Sequence, residues 1–535
     1  MSDRPQLSLF APEPGGDDAA REAIRSDLEA TLFVEAGAGT GKTAALVGRI
    51  VGLVRSGVAM RAIAAITFTE KAASELRYRV RAELERHGAT DARCAAALDE
   101  LDGAAICTLY AFAQRILTEF PIEAGLPPRI DVRDEIASAV AFDSRWERFV
   151  DQLLDDPQTQ PVVVLGLAAG VKFKQLRALA EAFADNWDLL DRVERAPALP
   201  EVEIDGWLAD LESLAAARED CRDAEDRMAL RLDEFAAYAA KLRRARDAAD
   251  RIALLRSDQP SFKVGNVGNR RSWQCDLPEI RDRIVQLANR RNSIIEDVAN
   301  AVIRHFAVAI ARFTHDDVAT RRAAGELEFH DLLVLARLLL RDPTHGPEAR
   351  RRLAHRYQRL LIDEFQDTDP IQVDLAVLLA SVDARDGERA WDAVSVEPGR
   401  LFFVGDPKQS IYRFRRADIT TFLRARDTFA AQPLLLTSNF RTTEPVLEWV
   451  NHVFGELIRP FPGSQPEYHA LEATRAAASS GSGVTMLGAS AHADSPDADA
   501  LRTREANDVV TAVNAAIGEQ WTVLDRDRWR PARLG

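Results

Sequence analysis

Cysteine is scarce in this sequence, and the few cysteines lie far apart. The 535 residues include four cysteines, which are Cys94, Cys107, Cys221 and Cys275. No two of them form the closely spaced CxxC pairs of zinc and iron–sulfur sites, so the sequence argues against both kinds of centre. Scattered thiols are typical of a reducing compartment, and we therefore expect a cytoplasmic protein.

Long apolar runs and an excess of positive charge are also missing. No stretch approaches the ~18 consecutive apolar residues of a membrane span, and the N-terminus lacks the basic start and apolar core of a signal peptide. We therefore expect a soluble protein with no membrane partner. The 69 lysines and arginines are outnumbered by 84 aspartates and glutamates, for a net charge of −15. A nucleic-acid partner would have to be held in a local groove rather than by bulk charge.

The length and the apolar content of 47% allow several domains with real cores. Residues 1–17 are polar and rich in proline and glycine, which predicts disorder. Residues 18–85 and 341–435 alternate between helical and strand patterns, which predicts an α/β fold with parallel strands. Residues 86–340 are rich in Ala, Leu, Arg, Asp and Glu at helical spacing, which predicts a mostly helical insertion with solvated charged faces.

A phosphate-binding loop follows the first predicted strand. Residues 33–43 read FVEAGAGTGKT and end in Ala36, Gly37, Ala38, Gly39, Thr40, Gly41, Lys42 and Thr43. Small residues let backbone N–H groups turn toward phosphate oxygens, and the following helix would point its N-terminus at them. Lys42 would neutralise the β- and γ-phosphates, and the Thr43 hydroxyl would hold Mg²⁺. The alternative is a glycine-rich turn that binds no ligand.

A second apolar strand ends in two carboxylates. Residues 359–364 read RLLIDE. Asp363 would bind Mg²⁺, and Glu364 would orient and deprotonate the attacking water. The alternative is a solvated acidic turn. The long separation between Lys42 and Asp363 indicates a motor that carries a second surface on its ATPase core.

Seven blocks resemble, in order, the motifs of superfamily 1 DNA helicases of the UvrD/RecB/AddA type. They are residues 36–43, 67–79, 106–117, 327–333, 361–372, 404–418 and 436–447. The resemblance implies a RecA-like first motor domain in residues 18–85 and 341–435. It also implies that residues 86–340 are the helical insertion of that domain. Residues 436–535 would be an incomplete second motor domain, because the chain ends before the places of motifs V and VI.

The resemblance assigns further roles at the nucleotide site. Gln409 would sense the γ-phosphate, Arg441 would reach it as an arginine finger does, and Phe440 would stack on adenine. The catalytic set is then Lys42, Glu364, Gln409 and Arg441. Arg21 stands at about the place where the family has a glutamine that reads adenine.

The same motifs imply a surface for single-stranded DNA. Tyr412 and Phe414 are two residues apart, so on an extended segment they would face the same way and stack on bases, with Arg413 near the DNA backbone. The alternative is that both rings belong to the core. The resemblance adds three more DNA contacts, at Phe68, Thr69 and Thr108.

Together these motifs predict an ATP-dependent helicase that uses Mg²⁺ and moves 3′ to 5′ on single-stranded DNA in repair or recombination. The polarity comes from the resemblance alone. The expected partners are single-stranded DNA, tailed duplex DNA and a second protein of the RecC/AddB type. Two alternatives stay open: a nucleic-acid-binding module derived from an ATPase that unwinds nothing, and an unrelated phosphate-loop kinase or signalling NTPase.

Overall fold

The computed structural model describes residues 16–193, 202–381, 383–430, 432–488, 497–525 and 528–534. The chain divides into two compact units. The first combines the residues up to Ala124 with those from Leu332 onward, and the second is Gly125–Asp331. Each unit has its own hydrophobic core.

Helices and strands alternate along the first unit, and helices dominate the second. The helices are α1 (Gly16–Ser26), α2 (Lys42–Ser56), α3 (Glu70–Gly88), α4 (Ala92–Glu100), α5 (Leu109–Glu119), α6 (Glu135–Asp155), α7 (Gln160–Ala169), α8 (Phe173–Ala184), α9 (Asp205–Ala216), α10 (Arg227–Arg243), α11 (Ala248–Ser257), α12 (Leu277–Ala324), α13 (Phe329–Arg341), α14 (Gly346–Arg356), α15 (Pro370–Ala380), α16 (Ile419–Phe429), α17 (Glu444–Leu457) and α18 (Ala498–Gly518). The strands are β1 (Leu32–Ala36), β2 (Ile63–Thr67), β3 (Ala105–Thr108), β4 (Asp131–Val132), β5 (Glu326–Leu327), β6 (Arg359–Ile362), β7 (Leu401–Gly405), β8 (Leu434–Leu436), β9 (Ser438–Thr443), β10 (Glu472–Arg475), β11 (Thr522–Asp525) and β12 (Arg528–Pro531).

The first unit is built on a six-stranded sheet in the order β3-β2-β6-β7-β1-β8. All of its strand pairs are parallel. Its strands are short. They are almost wholly apolar because helices cover both faces of the sheet. On one face Phe33 lies 5.1 Å from Phe422 and 5.6 Å from Phe365, ring centroid to centroid. On the other face Val34 packs in a cluster that includes α2. The predicted parallel α/β fold is therefore confirmed.

The parallel strands place the site. The carboxyl ends of β1, β2, β6 and β7 lie at one edge of the sheet, where ligands of open α/β folds bind. The connections that follow β1, β6 and β7 meet there, and these are the segments that carry the phosphate loop, the paired carboxylates and the aromatic pair.

The second unit consists mainly of α6 to α12, with the short parallel pair β4–β5. Its longest helix, α12, has 48 residues. Near the end of α12 the buried Arg321 guanidinium binds Asp331 at 2.9 and 3.0 Å and also pairs with Asp317. The Trp187 indole donates to the same Asp331 at 2.9 Å. Among the described residues, no helix is long and apolar enough to cross a membrane.

The bounds of the second unit and the start of α1 differ from what the sequence indicates. The compact second unit starts at Gly125 and ends at Asp331, whereas the sequence pattern predicts the insertion at 86–340. The start lies later because β3 joins the main sheet beside β2. Gly16 and Asp17 open α1 instead of being disordered, since Asp17 binds Arg21 and the Thr437 amide. The rest of the segment expected to be disordered, residues 1–15, lies outside the described residues.

The segment that carries Tyr412 and Phe414 is not extended as expected. Arg413–Arg415 form a single 3₁₀ turn. The Arg416 N–H donates to the Arg413 carbonyl at 3.1 Å, and Arg416 has a φ of 67°. The turn nevertheless leaves the two rings as neighbours.

Candidate active site

The phosphate loop connects β1 to α2 and is shaped by two glycines. Gly39 has a φ of 76° and Gly41 a φ of 84°, which are left-handed conformations that favour glycine. Thr40 is fully buried, and its hydroxyl donates to the Gly37 carbonyl at 2.8 Å. Gly41 is the N-cap of α2, so no side chain caps the helix and its first N–H groups face the loop. Such a helix end attracts anions.

Lys42 and Glu364 meet at the mouth of this loop. The Lys42 Nζ lies 2.5 Å from Glu364 Oε2, and the lysine side chain is only 12% exposed. Glu364 follows β6 with φ 50° and ψ 44°, a left-handed conformation that is unfavourable for a residue with a Cβ. From this conformation the Glu364 carboxylate contacts the lysine.

Three carboxylates crowd around this single lysine. Burial and the charge of Glu364 raise the pKa of Asp363 to about 6. Burial and the same charge raise the pKa of Asp367 to about 6. Burial also acts to raise the pKa of Glu364, but Lys42 and a hydrogen bond from Gln366 outweigh it and lower that pKa. The negative charge gathered here favours a cation.

The residues at this edge fit a magnesium ion only together with a nucleotide. Asp363 Oδ1 accepts from the Glu364 N–H at 2.9 Å, and Thr43 lies in the first turn of α2. In the part of the chain that the structure describes, no group of three or more His, Cys, Asp or Glu side chains could hold a metal. Mg²⁺ usually takes one or two carboxylates, water and substrate phosphates, so Asp363 and Thr43 would suffice beside phosphates.

Gln366 links the carboxylates to Gln409, a connection that the sequence motifs did not indicate. Its Nε2 donates to Glu364 Oε2 at 2.9 Å, and its Oε1 accepts from the Asp406 N–H at 2.9 Å. Asp406 Oδ2 in turn accepts from Gln409 Nε2 at 2.7 Å. Gln366 is 2% exposed, so its amide is a fixed part of the site.

The segment around β9 lies directly on the phosphate loop. The Phe440 N–H donates to the Gly39 carbonyl at 2.9 Å, and the Gly37 N–H donates to the Leu436 carbonyl at 3.3 Å. Arg21 donates to the Thr40 carbonyl at 2.7 Å, and its guanidinium lies 5.0 Å from the centre of the Phe440 ring. The structure therefore brings Phe440, and Arg441 after it, beside the loop.

Three aromatic rings form a row near the same edge of the sheet. The centroids of Phe68 and Tyr412 are 5.1 Å apart, and those of Tyr412 and Phe414 are 5.7 Å apart. Phe414 is 77% exposed, which is incompatible with a place in the core. Arg413, between the two rings in sequence, is exposed as well.

Thr69 and Thr108 serve the fold through their hydroxyls. Thr69 caps α3 by accepting from the Ala72 N–H at 3.1 Å. Thr108 caps α5 by accepting from Ala111, and it donates to Glu70 Oε1 at 2.8 Å. Thr108 is buried, whereas Thr69 is exposed. Both lie at helix N-termini at the edge of the sheet that carries the rings.

Comparison with known proteins agrees with the motifs. Residues 17–430 match the family model of the UvrD/REP helicase N-terminal domain. The chain is 27% identical to an ATP-dependent helicase/nuclease subunit of Geobacillus kaustophilus, over 84% of this chain and 40% of the relative. It is 28% identical to the protein of the same name from Desulforudis audaxviator, over 83% and 40%. It is 24% identical to the one from Ligilactobacillus salivarius, over 82% and 38%.

The chain thus spans about two fifths of the length of these relatives. The family match covers most of the chain and includes the phosphate loop, the paired carboxylates and the aromatic segment. The resemblance read from the seven motifs is confirmed, and the chain belongs to the UvrD/REP helicase family.

Proposed function

We propose that this chain carries the ATP-binding machinery of a DNA helicase that moves 3′ to 5′ on single-stranded DNA in repair or recombination. The observation that carries the proposal is the pairing of Lys42 with Glu364 at the mouth of a phosphate loop. A lysine and a carboxylate poised at an open helix N-terminus are the groups that phosphoryl transfer to water requires. The names of the relatives support the assignment.

In the nucleotide reaction, Lys42 exchanges Glu364 for the β- and γ-phosphates of ATP. Glu364, released from the lysine, accepts a proton from the attacking water. Asp363 and the Thr43 hydroxyl would hold Mg²⁺, which would neutralise phosphate charge. Gln409 senses whether the γ-phosphate is present, and its hydrogen bond to Asp406 links it to the rest of the site.

Arg441 and Phe440 complete the nucleotide pocket from β9. Phe440 is 46% exposed beside the loop, so a base can stack on its ring. Arg441 follows it in the same strand and is exposed, so its guanidinium is available to the terminal phosphate.

DNA binding is coupled to this site through the β2 and β7 connections. A small cleft is lined by Phe68 of the aromatic row and by Asp363 and Glu364 of the nucleotide site. Gln409 precedes Tyr412 by three positions on the same connection. A change at the γ-phosphate can therefore reach the rings on which bases stack. Single-stranded DNA and tailed duplexes are the substrates that we assign to this surface.

The relatives are named as subunits, and we extend the proposal to a partner protein of the RecC/AddB type. A cytoplasmic location stays a prediction from the cysteines. One experiment tests the proposed function: ATP hydrolysis by wild type and Lys42→Ala, with and without single-stranded DNA. Hydrolysis that DNA stimulates and that needs Lys42 supports it. If DNA does not stimulate hydrolysis, fluorescence anisotropy of labelled single-stranded DNA separates the alternatives. DNA binding then favours the nucleic-acid-binding module that unwinds nothing, and no DNA binding favours another class of NTPase.

A further inference from the structure

Asn439 is a buried side chain that joins the phosphate loop to the backbone of Arg441. It is 2% exposed. Its Nδ2 donates to the carbonyl of Ala38, in the loop, at 2.6 Å. Its Oδ1 accepts from the N–H groups of Arg441 at 2.9 Å and Thr442 at 2.7 Å. The side-chain amide therefore binds the phosphate loop and the Arg441 backbone at the same time.

This pattern of hydrogen bonds needs an amide. A carboxylate accepts but cannot donate to the Ala38 carbonyl, and a serine hydroxyl is too short to span both sides. In the low-dielectric interior these hydrogen bonds are strong, and leaving one of them unmade is costly. The loop and the Arg441 backbone therefore move together, because separating them would break these hydrogen bonds.

The phosphate loop packs closely against the side-chain amide of Asn439. A Cβ on Gly39 would lie 2.8 Å from Asn439 Nδ2 and 2.8 Å from the Arg441 Cβ. The next residue along, Phe440, donates its N–H to the Gly39 carbonyl at 2.9 Å. A shift of the loop at Ala38 and Gly39, such as phosphate binding would cause, is transmitted directly to the segment that carries Arg441.

We propose that Asn439 is the positioning residue through which the phosphate loop fixes the position of Arg441. The position of Arg441 in turn lets the site distinguish a nucleoside triphosphate from a diphosphate. The inference rests on the proposed function, since it takes the loop to bind a nucleotide. Arg441 contacts the third phosphate, and Asn439 acts only through Arg441. A charge-assisted hydrogen bond to that phosphate is worth about tenfold in affinity.

The test is a double-mutant cycle on nucleotide binding, with dissociation constants for Mg·ATP and Mg·ADP measured by calorimetry. Asn439→Asp keeps an oxygen that accepts from the Arg441 and Thr442 N–H groups. It replaces the Nδ2 donor to the Ala38 carbonyl with a second acceptor. Asn439→Ser keeps a short neutral acceptor and guards against a fold made unstable by the added charge. Thr474→Val is the matched control, because the Thr474 hydroxyl donates to the main-chain carbonyl of Asn439 at 2.8 Å and not to its side-chain amide.

We expect the preference of wild type for Mg·ATP over Mg·ADP to fall about tenfold in both Asn439 variants and in Arg441→Ala. It should not change in Thr474→Val, and Asn439→Asp should add nothing in the Arg441→Ala background. Additive losses, or an unchanged preference in both Asn439 variants or in Arg441→Ala, would overturn the inference while leaving the proposed function standing. A wild type that binds neither nucleotide would overturn both.

Discussion

Lys42 and Glu364 are bound to each other, Nζ to Oε2 at 2.5 Å, although 322 positions separate them in the chain. The lysine that would neutralise phosphate and the carboxylate that would activate water are thus mutually satisfied. Under the proposed function, phosphate would replace Glu364 as the partner of Lys42, and the same exchange would free the carboxylate to accept a proton from water. Activation of the base would then depend on occupation of the loop.

This pairing predicts that Glu364→Gln lowers ATP hydrolysis without weakening ATP binding. The neutral amide holds Lys42 less tightly, so Mg·ATP affinity should be retained or rise. The attacking water loses its base, so hydrolysis should fall by ~10²–10⁴. Calorimetry and a steady-state phosphate-release assay check the two halves. Weaker ATP binding in the variant would contradict the account of the ion pair.

The buried Gln366 predicts a combined loss of stability and activity. Gln366→Leu leaves the buried Asp406 N–H without its acceptor, which costs ~1–3 kcal/mol of unfolding free energy. It also breaks the chain from Glu364 to Gln409, so the rate of hydrolysis should fall. Chemical denaturation and kinetics measure both quantities. Gln358→Leu, at an exposed position just before β6, should change neither, and an equal effect there would refute the assignment.

The exposed ring of Phe414 predicts a loss of DNA binding without a loss of stability. Phe414→Ala should weaken single-stranded DNA binding by ~1–3 kcal/mol, with little dependence on sequence. The unfolding free energy should stay within about 0.5 kcal/mol of wild type. Fluorescence anisotropy and thermal melting measure the two. Phe461→Ala, at another exposed ring outside the seven motifs, is the control. A variant that melts early yet binds DNA normally would show that the ring serves the fold.

A buried carboxyl in the second unit predicts a pH effect on stability. Burial raises the pKa of Glu328 above its ordinary value, against the attraction of Arg321. In the window above the ordinary value of about 4.3, the folded protein therefore binds more protons than the unfolded chain. The stability of wild type relative to Glu328→Gln should fall as the pH rises through that window. Melting temperatures of both proteins at several pH values test this, and a constant difference would contradict it.

The local signals in the sequence are sufficient for the loop and the strands. Residues 36–43 carry their own glycines, lysine and threonine, and the apolar run before Asp363 needs no distant partner to be recognised as a strand. The aromatic pair is recognisable as well, although the turn closed by Arg416 is not. A two-residue spacing does not reveal whether the backbone between the rings is extended.

Side chains with distant partners cannot be found in this way. Asn439 donates to a carbonyl 401 positions away, and Gln366 accepts from an N–H 40 positions away. Each occupies an ordinary polar position within its motif, and its importance arises only when the parallel strands bring the connections together. Asp17 likewise gains its role from Arg21 and from the Thr437 amide.

The central claim is that Lys42 binds nucleotide phosphate once it leaves Glu364, and calorimetric titration with Mg·ATP tests it most directly. Wild type should bind, and Lys42→Ala should bind about 10- to 100-fold more weakly, because a charged hydrogen-bond donor to phosphate is lost. Lys174→Ala, at an exposed lysine of α8, should bind as wild type does. Equal dissociation constants for wild type and Lys42→Ala would contradict the account.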